Sequence, residues 1–270
     1  MNTAYWINHF QTNTRRNDSM QLPACPSELP DAIRLPLGRS LAIFQLGESG
    51  GGSRLKRYAR QITPLDQFAG YQRAIDLFVA EEQSHAALLG RLLGHLRIPM
   101  LKKQWTNSIF RWLRNLVNLE FNIQVLLTAE LVAEVYFGML YLRSSDAAVC
   151  QVSHKLLRDE MKHLEFQRQF LAERLQELTP AARALWRVQF RLIHRISAAI
   201  VSWDHRTCLR AMQVTPADFR SRCTRSLERF MSRLEQLTTQ LTTATTSAPG
   251  SQMPHLPLGP TNRDFSRHEL

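Results

Sequence analysis

The sequence predicts an all-α protein, and three observations carry that expectation. Long segments rich in Leu, Ala, Arg, Gln and Glu repeat their apolar residues at helical spacing. Few Val/Ile/Thr alternations of the kind that mark strands interrupt them. The 11 glycines and 12 prolines of the 270 residues gather near the two ends and at a few junctions. A hydrophobic share of 44% is enough for a sizeable core, in one large domain or one domain with an appendage.

Taken in order, residues 1–36 are polar and proline-containing (QLPACPSELPDAIRLP) and predict an extended arm. A first helix is expected from about Leu37 to Gln61. Thr63-Pro64-Leu65-Asp66 offers a Thr cap, a Pro in the first turn and an Asp three residues after the cap, so a second helix opens there. It runs to about Arg97 and stops before Pro99. Segment 98–118 places Trp105, Ile109, Trp112, Leu113 and Leu116 on one face and suits a short crossover helix. A very apolar helix follows over 121–142, and another over 146–177, which ends at Thr179-Pro180. Thr179-Pro180 and Thr215-Pro216-Ala217-Asp218 open two further helices, over 180–212 and 216–237, by the same capping logic. The Thr-, Ser- and Pro-rich stretch 238–270 buries little and predicts a disordered tail. The body of the fold is thus expected over 37–177, with 178–237 packed upon it.

The formal net charge is +11, which permits contact with nucleic acid, an anionic surface or an acidic partner. The arginines are spread over every segment, which favours general solvation or an acidic partner over a nucleic-acid arm. Cys25, Cys150, Cys208 and Cys223 are far apart and form no CxxC, so no zinc ribbon, rubredoxin-type iron site or disulfide framework is predicted. MNTAYWINHFQTNTRRND lacks the apolar core of a signal peptide, and no stretch offers eighteen uninterrupted apolar residues. The expectation is a soluble cytoplasmic protein without a membrane span.

Acidic and histidine side chains recur in an order that points to metal chemistry. Glu48 falls in the first long helix, Glu82 and His85 in the second, Glu130 and Glu134 in the third, Glu160 and His163 in the fourth. Residues three apart on a helix share a face, so each Glu-x-x-His pair can reach one ion. One Glu from each of two helices and one such pair from each of two others is the ligand pattern of a dimetal site in a four-helix bundle. Chance placement yields roughly half an ExxH match in a chain of this composition, so two matches in suitable helices weigh more than one. The intervals of 34 residues from Glu48 to Glu82 and 30 from Glu130 to Glu160 fit a path out along one helix and back along its antiparallel neighbour, at about 1.5 Å per residue.

The third helix adds a separate argument. Glu130 and Glu134 stand among Val125, Leu126, Leu127, Leu131, Val132 and Val135, and a helix apolar nearly all round is a buried one. A lone carboxylate there costs several kcal/mol unless it is protonated, paired or bound to metal. Glu130 is the expected ligand, and Glu134 a supporting or displaceable one. Glu81 and the Lys162/Glu165 pair are expected to face solvent, and Tyr71 and Tyr136 to pack in the core. Glu48 lies in FQLGESGGGS. Either the first helix breaks there and Glu48 is only a cap, or the glycines make room beside the site, which is the favoured reading.

FQLGES, AEEQSHAALLGRLL, TAELVAE and LRDEMKHLEF together resemble the ferritin-like diiron-carboxylate superfamily, over about residues 37–177. The resemblance implies an antiparallel four-helix bundle with a long crossover between its second and third helices. It implies two iron ions, with manganese or a mixed Mn/Fe pair as alternatives, held by Glu48, Glu82, His85, Glu130, Glu160 and His163. The chain is more distantly similar to the diiron N-oxygenases, but Leu156 stands where their additional histidine would be. Three functions follow, in order of preference. The first is an oxidoreductase that uses O2 on a small organic substrate, drawing on an unidentified electron donor. The second is iron or peroxide handling, and the third a helical scaffold that binds an acidic partner. The two added helices are expected to cover one end of the bundle or to build a homodimer interface.

Overall fold

The computed structural model describes residues 1–50, 52–62, 68–102 and 119–247. All regular structure among them is helical: α1 (Thr3–Ser19), α2 (Asp31–Glu48), α3 (Ser53–Ile62), α4 (Tyr71–His95), α5 (Leu119–Arg143), α6 (Ala147–Gln176), α7 (Pro180–Asp204), α8 (Arg206–Ala211) and α9 (Pro216–Ser247).

Local chemistry sets most of the ends. The Asp146 carboxylate accepts from the Val149 amide to start α6, and the Thr179 hydroxyl accepts from the Ala182 amide to start α7, with Pro180 behind it. Thr215 caps α9 by accepting from the Asp218 amide at 3.0 Å. Helix α4 closes with Arg97 in the left-handed region (φ 54°). The amides of Ile98 and Arg97 return to the carbonyls of Leu93 and Gly94, and Pro99 prevents continuation.

Four long helices run antiparallel to their neighbours, as their cross-contacts show. Between α2 and α4, the Arg34 guanidinium donates to the Leu96 carbonyl and the Gln45 amide to the Ala86 carbonyl. Between α4 and α6, His95 meets Asp146, His85 meets Asp159, and the Tyr71 and Phe170 rings stack at 4.5 Å. Helices α5 and α6 form a hairpin in which Tyr141 stacks on His154 at 4.7 Å. Ser40 of α2 and Tyr136 of α5 share a hydrogen bond of 2.6 Å. Each link reverses direction, so α4 and α5 run parallel. The crossover helix expected over 98–118, with Trp105, Ile109, Trp112, Leu113 and Leu116, lies outside the described residues from 103 onward.

The extended arm expected over 1–36 is corrected. Residues 3–19 form α1, which lies against α4 and α6 and buries Trp6 and Phe10 fully. The Trp6 ring meets Phe166 at 5.4 Å and its indole N–H donates to Gln169 at 2.9 Å; Phe10 packs on Phe78 and Phe166. The expected 37–61 helix is two helices, α2 beginning at Asp31 and α3 at Ser53. The start expected at Thr63 lies outside the described residues, and α4 begins at Tyr71 after Gly70 at φ 80°. The 180–212 helix breaks at His205 into α7 and α8. The disordered tail expected from 238 is corrected up to Ser247, because α9 continues that far; residues 248–270 lie outside the described part.

Helices α7, α8 and α9 form an outer layer. Arg191 makes a two-bond pair with Glu228, and Arg187 pairs with Glu235 at 3.0 Å, which ties α7 to α9. Gln124 of α5 donates to the Trp186 carbonyl of α7. By length and composition α5 is apolar enough to cross a membrane, but 67% of its apolar window is buried inside the protein, as befits a core helix. The apolar interior forms two clusters. One gathers Trp6, Phe10, Tyr71, Phe78, Phe166 and Phe170; the other gathers Leu41, Leu89, Leu92, Tyr136, Phe137 and Leu156.

Docking of α1 makes one stability prediction. Trp6→Ala should lower the unfolding free energy by roughly 3–5 kcal/mol, the usual cost of removing a buried aromatic ring. A urea-midpoint change equivalent to less than about 1 kcal/mol would show that α1 is not part of the folded core.

Candidate metal centre

Between the two apolar clusters the four long helices carry a belt of acids and imidazoles. All six residues expected as ligands meet there. Glu82, Glu130, Glu160 and His163 bring one ligand atom each within 4.8 Å of one another, and Glu48, Glu82 and His85 do the same. Glu82 belongs to both sets, so its carboxylate is shared between the two groups of side chains that would hold metal. Glu160 reaches both imidazoles as well: its carboxylate oxygens lie 3.8 Å from His85 Nδ1 and 3.4 Å from His163 Nδ1. His163 Nδ1 also lies 2.9 Å from Glu82 and 3.4 Å from Glu130.

The two imidazoles are oriented from behind. His85 Nε2 is 2.9 Å from Asp159, and His163 Nε2 is 3.3 Å from Glu81. Asp159 in turn accepts from the Lys155 ammonium, and Glu81 accepts from the Asn13 amide of α1 at 2.6 Å. With Nε2 engaged on each ring, Nδ1 faces the carboxylates, and this arrangement fixes both tautomer and ring angle.

Glu81, expected at the surface, is therefore fully buried, because α1 covers that side of α4. Glu81, Asp159, Lys155 and Asn13 were not among the expected site residues. The signal for two of them lies in the sequence: an acid directly precedes the Glu of each motif, as Glu81-Glu82-x-x-His85 and Asp159-Glu160-x-x-His163. Glu134 is placed elsewhere. It accepts from the Ser226 hydroxyl and pairs with Arg229 of α9 at 3.4 Å, so it anchors the outer layer.

Glu48 matches neither sequence reading fully. Helix α2 ends on this residue, yet its carboxyl reaches the cluster. Gly52, at φ 56°, is where a side chain is excluded: a Cβ there would sit 2.5 Å from Val79 Cγ2. That glycine serves the close approach of the chain to α4, with Val79 on the side where its Cβ would lie. Tyr71 and Tyr136 are core residues, as expected.

The residues fit a metal pair on two counts. The buried atoms aimed at the centre, namely both Glu130 oxygens, Glu82 Oε1 and the Nδ1 atoms of His85 and His163, make no well-formed hydrogen bond and face only one another and Glu160. The charge count is the second. Four ligand carboxylates carry four negative charges, which two divalent cations would neutralise. Without metal, protons must do so. Burial raises Glu130 to about 7, although His163 opposes the rise. Burial also raises Glu160 and, with the nearby Glu82, lifts Glu48 well above the ordinary carboxylate range. Burial disfavours charge on His85, but Asp159, Glu82 and Glu160 outweigh it and raise the ring to about 9. Glu130 and Glu82 likewise outweigh burial at His163 and raise it. Neutral-nitrogen and carboxylate ligation together suit iron, manganese or zinc better than magnesium or calcium.

No protein-family model, curated protein or solved structure matches the chain, so the motifs and this geometry carry the functional reading.

Two predictions follow from the belt. Asp159→Asn should keep the fold but weaken metal binding about 10- to 100-fold, measured by competition with a chelator, since the acid that orients His85 is lost. Unchanged affinity would remove Asp159 from the site. The second concerns pH. Glu130 and His85 titrate near 7 and 9 in the folded metal-free protein, against 4.5 and 6.5 ordinarily. The folded state then holds more protons than the unfolded state, so metal-free stability should fall as pH rises from about 4.5 to 9. In the same window metal affinity should increase, with proton release on binding. Calorimetric titration in two buffers of different ionisation enthalpy checks this, and uptake without proton release would contradict it.

Proposed function

We propose that this chain is a ferritin-like dimetal-carboxylate oxidoreductase that binds two iron ions and uses O2 to oxidise a small organic substrate. The observation that carries the reading is the pair of overlapping ligand sets joined at Glu82. Support comes also from the pairing of α2, α4, α6 and α5, which is the topology the resemblance implies, with α4 and α5 parallel across a long connection. Iron is the favoured metal and manganese the alternative.

In this reading Glu48, Glu82 and His85 hold one ion, and Glu82, Glu130, Glu160 and His163 the other. Two ferrous ions, if bound, would supply two of the four electrons that reduction of O2 to water requires, and the substrate or the unidentified donor would supply the rest. The protein's own side chains set the position and surroundings of the ions. Asp159 and Glu81 keep each imidazole at a fixed angle with Nδ1 forward. Glu48, Glu82, Glu130 and Glu160 would hold the ions through carboxylates on side chains long enough to follow a change in their charge. Phe78, whose ring lies 4.7 Å from His163, stands with buried Leu131 and Leu164 on the apolar side of the belt and limits water there. Free thiols at Cys208 and Cys223 are buried, with burial raising them to about 11 and 12. They stay protonated, in keeping with the reducing cytoplasm in which we place the protein.

Anaerobic loading with Fe(II), desalting and metal analysis test the proposal. About two irons per chain should remain, and a Glu160→Ala/His163→Ala variant should retain almost none. A folded wild type that keeps neither iron nor manganese would overturn the dimetal reading. If the loaded protein instead oxidised Fe(II) over many turnovers and grew mineral, iron storage would replace substrate oxidation.

A further inference from the structure

Helix α7 turns one face outward, and that face is apolar from end to end. Leu185, Val188, Leu192 and Ile196 are 68%, 63%, 58% and 53% exposed, and Trp203 is 56% exposed with the Arg206 guanidinium 4.8 Å above its ring. Ala181 and Ala199 are exposed at the same angular position. The seven positions advance by steps of 4, 3, 4, 4, 3 and 4 residues. At about 1.5 Å per residue the stripe is roughly 33 Å long, and its mean period stays on one helical face.

The steps read the same in both directions, and their centre is Leu192. An antiparallel copy of the helix, turned by a two-fold axis through Leu192, therefore places every stripe residue opposite another stripe residue. The sizes also match. Trp203 meets Ala181, Leu185 meets Ala199, Val188 meets Ile196, and Leu192 meets itself. Large opposite small is the pattern that lets two helix faces interdigitate at close distance. A lipid surface or an unrelated protein requires neither mirror-symmetric spacing nor paired sizes.

Area and charge agree with the same occupant. The five large side chains expose on the order of 500 Å² of apolar surface, near the upper end of what a monomer usually leaves open. That is more than half of the roughly 800 Å² per partner in a standard interface. One edge of the stripe is uncharged, with Gln189, Ile193 and Ile200. The other carries Arg191 and Arg195, and Glu228 of the same chain engages Arg191 through two bonds, which reduces repulsion between copies.

We propose that the protein is a two-fold symmetric homodimer in which α7 packs antiparallel on α7 of a second copy, with Leu192 on the axis. The interface is isologous, so it closes at two copies. It rests on α7 alone and is independent of the metal reading.

Sedimentation velocity on the full chain at micromolar concentration should give a species of twice the chain mass. Leu192→Glu, which sets two carboxylates against each other on the axis, should shift it to monomer and raise the dissociation constant at least about 100-fold, with circular dichroism and metal content unchanged. Should that variant fail to fold, cysteines report the register in a Cys25→Ser background. Leu192→Cys should form a covalent dimer on mild oxidation. Leu185→Cys should do so only when combined with Ala199→Cys, because a bridge requires Cα atoms within about 7 Å. A monomeric wild type, whether or not it binds anionic vesicles, would overturn the proposal. So would a dimer that survives Leu192→Glu, or one that Leu185→Cys alone cross-links.

Discussion

Everything in this fold answers to one electrostatic constraint: six carboxylates and two imidazoles share a belt inside a helical bundle. Glu48, Glu82, Glu130 and Glu160 face the centre, while Glu81 and Asp159 stand behind the histidines. Among the described residues, Lys155 is the lysine or arginine that ion-pairs within this group. Buried charge of one sign is tolerated only with hydrogen bonds, protons or cations to offset it. Each packing feature around the belt supplies part of that compensation. Helix α1 brings Asn13 to Glu81 and Lys155, and Asn17 to Ser84. The four carboxylates that face the centre carry a charge that two divalent cations would offset.

Much of the architecture was legible because it is written in local chemistry. The Thr-Pro starts at 179–180 and 215–216, the stop before Pro99 and the apolar run of α5 all lie where capping and periodicity put them. The six ligand candidates were legible because a helix enforces the three-residue spacing, and the intervals between motifs report where antiparallel neighbours meet. What escaped was tertiary. Helix α1 has a buried stripe at Trp6, Phe10, Asn13 and Asn17, but half of it is asparagine, so hydropathy alone hides it. Those asparagines are inside because their partners, Glu81 and Ser84, are polar residues on another helix.

The same reasoning explains the C-terminal extension of α9 and the placement of Glu81. Thr238, Thr239, Thr242 and Thr243 return their hydroxyls to carbonyls one turn back. Leu237 and Leu241 pack against the core cluster, which overrides the modest helix propensity of a Thr-rich stretch. Glu81 looked solvated because Ser84, and not a histidine, stands three residues after it. A helix in the middle of a bundle has no free side, and once α1 covers the back of α4, adjacent acids serve the same centre from its front and rear.

The polar belt also divides the hydrophobic interior into two separately packed nuclei, one built on Trp6, Phe166 and Phe170 and the other on Leu92, Tyr136 and Phe137. Apolar burial, which gives small proteins their all-or-none folding, is interrupted at mid-height. The long helices pass through the break, but the side chains that meet there repel one another unless something gathers them. Carboxylates and imidazoles drawn from α2, α4, α5 and α6 would make a bound pair of metal ions a clasp across this seam. Its occupancy would then govern whether the two halves of the molecule behave as a single cooperative body or as two joined by helical rods.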